Sequence, residues 1–135
     1  MEMQNSFSQL NWVAIFAAAI STFLIGGLWY SLFEKQWMTA NGFTREFLRQ
    51  RKLPVVFGLS FIFSFIMALN LALFIGKGGA YFGGMAGFMT GFGWIFFAIG
   101  IIALFEKKPL KYVLVNGGYM ITAFTVMGFI LGAWH

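Results

Sequence analysis

From Leu53 to Gly76 the chain reads LPVVFGLSFIFSFIMALNLALFIG, without one charged side chain and with a single amide, Asn70. A helix of about 20 apolar residues is what the ~30 Å hydrocarbon layer of a bilayer requires. Pro54 falls where a first helical turn would lie, and there its missing N–H has no partner to lose. No alternation of period two runs through the segment, which argues against a transmembrane barrel strand. The stretch reads as a membrane-spanning helix.

Three further runs repeat the pattern on either side. Upstream, Leu10 to Leu32 is broken only by Asn11, Ser21, Thr22 and Ser31. It is too long for the core of a signal peptide, and residues 1–10 carry Glu2 but no Lys or Arg, so it reads as a retained span. Downstream lie runs over about 80–105 and 110–134, the last introduced by Pro109 at a helix-start position. The whole chain agrees: of 135 residues 60% are apolar, 21% aromatic and 10% charged, with a mean hydropathy of +0.81. Soluble domains carry about a quarter charged residues, and a globule this small cannot bury such an excess. A water-soluble monomer is excluded. The expected fold is an all-α integral membrane protein, one domain over residues 1–135, with spans at about 10–32, 53–76, 80–105 and 110–134 forming a four-helix bundle.

The basic residues orient that bundle. Lys35, Arg45, Arg49, Arg51 and Lys52 fall between the first two spans, Lys107, Lys108 and Lys111 around the start of the fourth, and only Lys77 on the other side. The positive-inside rule places both basic connections in the cytoplasm and both termini outside, in a cell (inner) membrane. The same clustering explains the net charge of +5, and nucleic acid is not an expected partner. The one-sided count also argues against insertion in both directions. Within the first connection, Asn41-Gly42 is a turn signal and Thr44 a helix cap. Phe43, Phe47 and Leu48 would then share one face and Arg45, Arg49 and Lys52 another. This describes a short helix on the cytoplasmic surface whose Arg45, Arg49 and Lys52 contact anionic lipid, each basic residue contributing ~1 kcal/mol. The alternative is a basic loop that only sets topology.

Small residues recur at helical spacing on every span. Ala14, Ala18, Thr22 and Gly26 mark the first, Ser60, Ser64, Ala68, Ala72 and Gly76 the second, Gly83, Gly87 and Gly91 the third, and Gly118, Thr122, Gly128 and Gly132 the fourth. In lipid, helices associate through close backbone approach, which small residues permit. Packing inside one subunit is the leading reading. A homo-oligomer interface on the glycine-rich third span is the alternative.

Little chemistry is left to such a chain. It has no cysteine and one histidine, His135, and its four acidic residues are all glutamates. Thiol chemistry, thiolate metal sites and a Ser-His-Asp triad are closed to it, and no cofactor or metal is expected. Glu34 and Glu106 share the tetrapeptide Leu-Phe-Glu-Lys, at residues 32–35 and 104–107. They are candidate carboxylates at a cytoplasmic mouth, or simply markers of the water interface beside snorkelling lysines. Asn70 and Asn116 fall within spans, where an amide needs a partner. With Tyr30, Tyr119 and Trp29 they are the candidate lining of a ligand pocket or pore. Most tryptophans sit near span ends, as an aromatic belt requires, but Trp94 is mid-span.

Several segments together carry a resemblance. Asn11-Trp12 leads through an alanine-rich helix to Gly26-Gly27-Leu28-Trp29-Tyr30-Ser31 and Trp37-Met38. Near the end come Leu110-Lys111-Tyr112, Asn116-Gly117-Gly118-Tyr119 and Leu131-Gly132-Ala133-Trp134. Over essentially its whole length the chain resembles the small bacterial membrane proteins grouped as domain of unknown function 1761. The resemblance implies a four-span integral membrane protein and brings no activity or site assignments. Trp29, Tyr30, Asn116 and Tyr119 match that family's pattern.

Three functions compete. The first is a non-enzymatic bundle that binds lipid or an apolar small molecule. The alternative is a homo-oligomeric small transporter or channel with an uncharged polar pore lined by Thr22, Ser60, Ser64, Asn70 and Thr122. A membrane enzyme using Glu34, Glu106 or a tyrosine as acid or base ranks last.

Overall fold

The structure, a computed structural model, describes Ser8 and residues 10–135. Among the described residues there is no strand. Helix α1 (Trp12–Leu32) starts where the Asn11 side chain accepts a hydrogen bond from the Ala14 amide, satisfying one of the N–H groups a helix start leaves open. The chain then breaks for one residue at Phe33 and continues as α2 (Glu34–Asn41), which Gly42 ends at φ +68°. That left-handed conformation suits glycine. Thr44 caps α3 (Arg45–Arg49), accepting from the Phe47 amide at 3.1 Å. Next comes α4 (Leu53–Ile75), with its proline in the first turn. The third span is composite: α5 (Gly79–Thr90), a π-helical stretch Gly91–Phe96, and α6 (Phe97–Phe105). Following Pro109, α7 (Leu110–Ala133) completes the chain.

Four helical segments are thus long and apolar enough to cross a membrane, Trp12–Leu32, Leu53–Ile75, Gly79–Phe105 and Leu110–Ala133, within two residues of the limits expected from hydropathy. The connection after the first span holds more structure than its turn signals indicated. Helix α2 extends from the end of α1, and only α3 had a cap legible in sequence.

Helix α7 is the centre of the bundle. It touches α1, α2, α4, α5, the π-helical turn and α6, whereas α4 and α5 meet only sparsely. The core between α1, α4 and α7 is built from small and medium side chains, with Ala14, Ala18, Ala68, Met127 and Ile15 all fully buried. Large apolar residues such as Leu24, Leu28 and Phe74 point outward. In water this would be inverted. In lipid the outer face has no need to be polar, and the small residues select the inner one.

The contact between α5 and α7 shows how. A Cβ on Gly83 would strike the Gly128 carbonyl, one on Gly87 the Phe124 carbonyl, and one on Gly132 the Gly79 carbonyl. These are backbone atoms, which cannot step aside. Gly83 of the third span therefore packs on Gly128 and Gly132, and Gly87 and Gly91 on the backbone at Phe124 and Ile121, all within one chain.

The π-helical turn follows from the same interface. Continuing the four-residue ladder past Gly91 would bring Ile95 and Ile99 against α7. Ile95 does pack against the core, but Phe96 fills the notch at Gly117 and Gly100 faces Val113, a step of five residues after Gly91. One inserted residue of this kind is what a π-bulge accommodates.

Candidate functional site

Four of the residues singled out in sequence come together between α1 and α7. The Trp29 indole donates to the Val115 carbonyl at 2.8 Å, and the Tyr30 hydroxyl donates to Asn116 Oδ1 at 2.6 Å. The Tyr119 hydroxyl donates back to the Thr22 carbonyl at 3.0 Å. The two tyrosine rings meet edge to face, with centroids 5.4 Å apart. Glycines make the room: a Cβ on Gly26 would stand 3.0 Å from the Tyr119 hydroxyl, and one on Gly118 would lie 2.8 Å from the Trp29 ring. All four side chains are half-buried. Every bond in this clasp joins one helix to the other, so its direct consequence is to lock α1 against α7.

The charged end of the bundle is looser. Glu34 pairs with Arg45 at 3.0 Å, both side chains well exposed, and such a pair contributes little to stability. It does occupy Arg45, leaving Arg49, Arg51 and Lys52 as exposed cations of the α3 region without an ion-pair partner among the described residues. Phe43 packs on Trp37 and Phe47, and the Arg51 guanidinium lies 6.0 Å from the Trp37 ring centre. Glu106 is exposed beyond the end of α6 with no ion pair among the described residues. Nothing in the packing joins it to Glu34.

Hydroxyls within the spans turn onto their own helices. Thr22 donates to the Ala18 carbonyl, Thr90 to that of Ala86, and Thr122 to that of Gly118. Ser64 is buried, while Ser60 is exposed on α4.

Asn70 lies apart from the clasp, in an open-sided groove where α4 and α5 diverge. The cavity measures about 670 Å³. Met67, Asn70 and Phe74 form one wall, Phe82, Met85 and Met89 the other, while Thr90, Gly93 and Trp94 close one end and Phe124 of α7 contributes to the lining. Among the described residues no charged side chain lines it. Asn70 Nδ2 donates to the Ile66 carbonyl at 2.9 Å, and because that carbonyl can only accept, the amide is held with its oxygen turned away. Asn70 is exposed, and its Oδ1 has no partner among the described residues.

Asn70 and Trp94, the mid-span exception to the aromatic belt, share this groove, a juxtaposition that their spacing in the chain does not show. The available signal was Gly100, one residue out of step with the ladder of Gly83, Gly87 and Gly91. That offset marks the π-helical turn, which carries Gly93 and Trp94 into the groove. Chemically, these walls can hold an apolar body and offer hydrogen bonds at one end. Among the described residues no group of three or more His, Cys, Asp or Glu side chains is placed to hold a metal ion.

Comparison with known families bears on the whole of this arrangement. The model of the family described as Protein of unknown function (DUF1761) matches residues 13–132. The chain belongs to that family. The matched region contains both halves of the clasp, both walls of the groove and the basic connections. No curated protein and no solved structure matches the chain.

Proposed function

We propose that this DUF1761 protein is a non-catalytic, multi-pass bundle of a bacterial cytoplasmic membrane that holds a lipid or another apolar small molecule in the groove between α4 and α5. The groove itself carries the reading. Its volume of about 670 Å³ falls in the range of small-molecule sites, roughly 300–1,000 Å³, and its walls are apolar with few polar groups, as such sites usually are. The clasp and the glycine contact support it by fixing α1 and α5 on α7, so that one groove wall rests on a rigid frame. An acid–base role has weaker support, since no ionisable side chain among the described residues lines the cavity and Glu34 is engaged by Arg45. The basic end faces the cytoplasm in this reading, with both termini outside, on the strength of the charge asymmetry. Arg49 and Lys52 there are free to meet anionic lipid.

Native mass spectrometry of the protein released from lipid nanodiscs tests the proposal. The expected spectrum shows a constant added mass. Gly93 lines the groove and a Cβ there would meet nothing within 4 Å, so Gly93→Phe should fill the cavity and remove the added mass without disturbing the fold. A wild-type protein that emerges bare would overturn the reading.

A further inference from the structure

Asn70 says more about the occupant than the groove's volume does. Helix α4 has 23 residues and is about 34 Å long at 1.5 Å per residue, slightly more than the ~30 Å apolar layer. Asn70 precedes the last residue of α4, Ile75, by about 7 Å along the axis. With the helix centred in the bilayer, the amide lies roughly 5 Å inside the hydrocarbon boundary. Water is scarce at that depth, no donor among the described residues reaches its Oδ1, and an unmet acceptor there is costly. Phospholipid phosphates and esters stay at or above the boundary, and their acyl chains carry no donor. Among the described residues the cavity has no charged side chain to receive an ionic head group.

We infer that the groove binds an uncharged apolar alcohol, a single hydroxyl on a long chain or ring system, with the hydroxyl donating to Asn70 Oδ1 and the apolar body lying along Met85, Met89 and Trp94. Two further observations favour a small molecule over a second copy of the chain. The site is concave, and its end is shaped by the π-helical turn, a distortion frequent at functional sites. This inference rests on the groove being a binding site, as proposed above, and adds the class of molecule and the group that recognises it.

Photolabelling in phosphatidylcholine nanodiscs separates the two claims. The probes are hexadecanol bearing a mid-chain diazirine and the matched diazirine-bearing hexadecane, with adducts mapped by mass spectrometry. Hexadecanol should label groove residues about five- to tenfold more than hexadecane, the ratio expected for one neutral hydrogen bond. In Asn70→Leu, a change on an exposed position, hexadecanol labelling should fall to the hexadecane level. Equal labelling by both probes in both proteins would overturn the alcohol while leaving an apolar groove standing. Absence of groove labelling by either probe would overturn the alcohol and the groove together. The chain has no cysteine, so Asn70→Cys also reports on pairing: rapid formation of a disulfide-linked dimer would mean that a second copy covers the site, and would overturn the inference.

Discussion

At the scale of single residues, the clasp makes a quantitative claim. Removing the Tyr30 hydroxyl leaves Asn116 Oδ1 without its 2.6 Å donor. Tyr30→Phe should therefore destabilise the protein by about 1 kcal/mol, since an interhelical hydrogen bond in a membrane contributes roughly 0.6–2 kcal/mol. Asn116→Leu alone should cost a similar amount, and the double variant less than the two together, with a coupling of about 1 kcal/mol. Unfolding of purified protein in mixed micelles measures all three, and strict additivity would mean that the bond contributes nothing. Trp29, Tyr30, Asn116 and Tyr119 were legible as polar groups needing partners. Two of the partners were not, because Trp29 and Tyr119 reach backbone carbonyls, of Val115 and Thr22, and a carbonyl has no signature in sequence. Asn70 shows the converse. Read alongside Asn116, it lies near the opposite end of the bundle, close to the end of α4 at Ile75, whereas Asn116 follows the start of α7 at Leu110, and it opens into the groove instead.

At the scale of elements, the glycines of α5 and α7 are the testable feature. Gly83→Ala and Gly128→Ala each set a methyl against a backbone carbonyl of the facing helix. The helices must then separate, at a cost of about 1–3 kcal/mol by analogy with overpacked cores. Gly27→Ala and Gly58→Ala put their methyls in open space and should be neutral or slightly stabilising, because alanine favours a helix over glycine by up to ~1 kcal/mol. The same micelle unfolding assay checks the contrast, and equal effects at Gly83 and Gly27 would refute the packing. That small-residue ladders would pack was apparent from their spacing. Which ladder meets which was not, since all four spans carry one. The π-helical turn was hidden for a related reason: hydropathy is uniform around this span and holds no phase, so only the offset of Gly100 recorded the inserted residue.

For the whole molecule, orientation is the property to measure. With no native cysteine, single replacements report cleanly. In intact cells Lys77→Cys should react with a membrane-impermeant maleimide, and Lys108→Cys should react only after permeabilisation. The reverse pattern would invert the proposed topology. Span number and limits, and the basic end of the bundle, were determined by sequence alone, because the length of an apolar run and the position of a charge are properties of the chain that the bilayer reads directly. Tertiary structure decided the rest: α7 as the central helix, the pairing of glycine faces, the clasp, and the divergence of α4 from α5 that opens the groove. In a bilayer both faces of a span are apolar, so hydropathy does not distinguish inside from outside, and only the fit of one helix surface against another makes that choice.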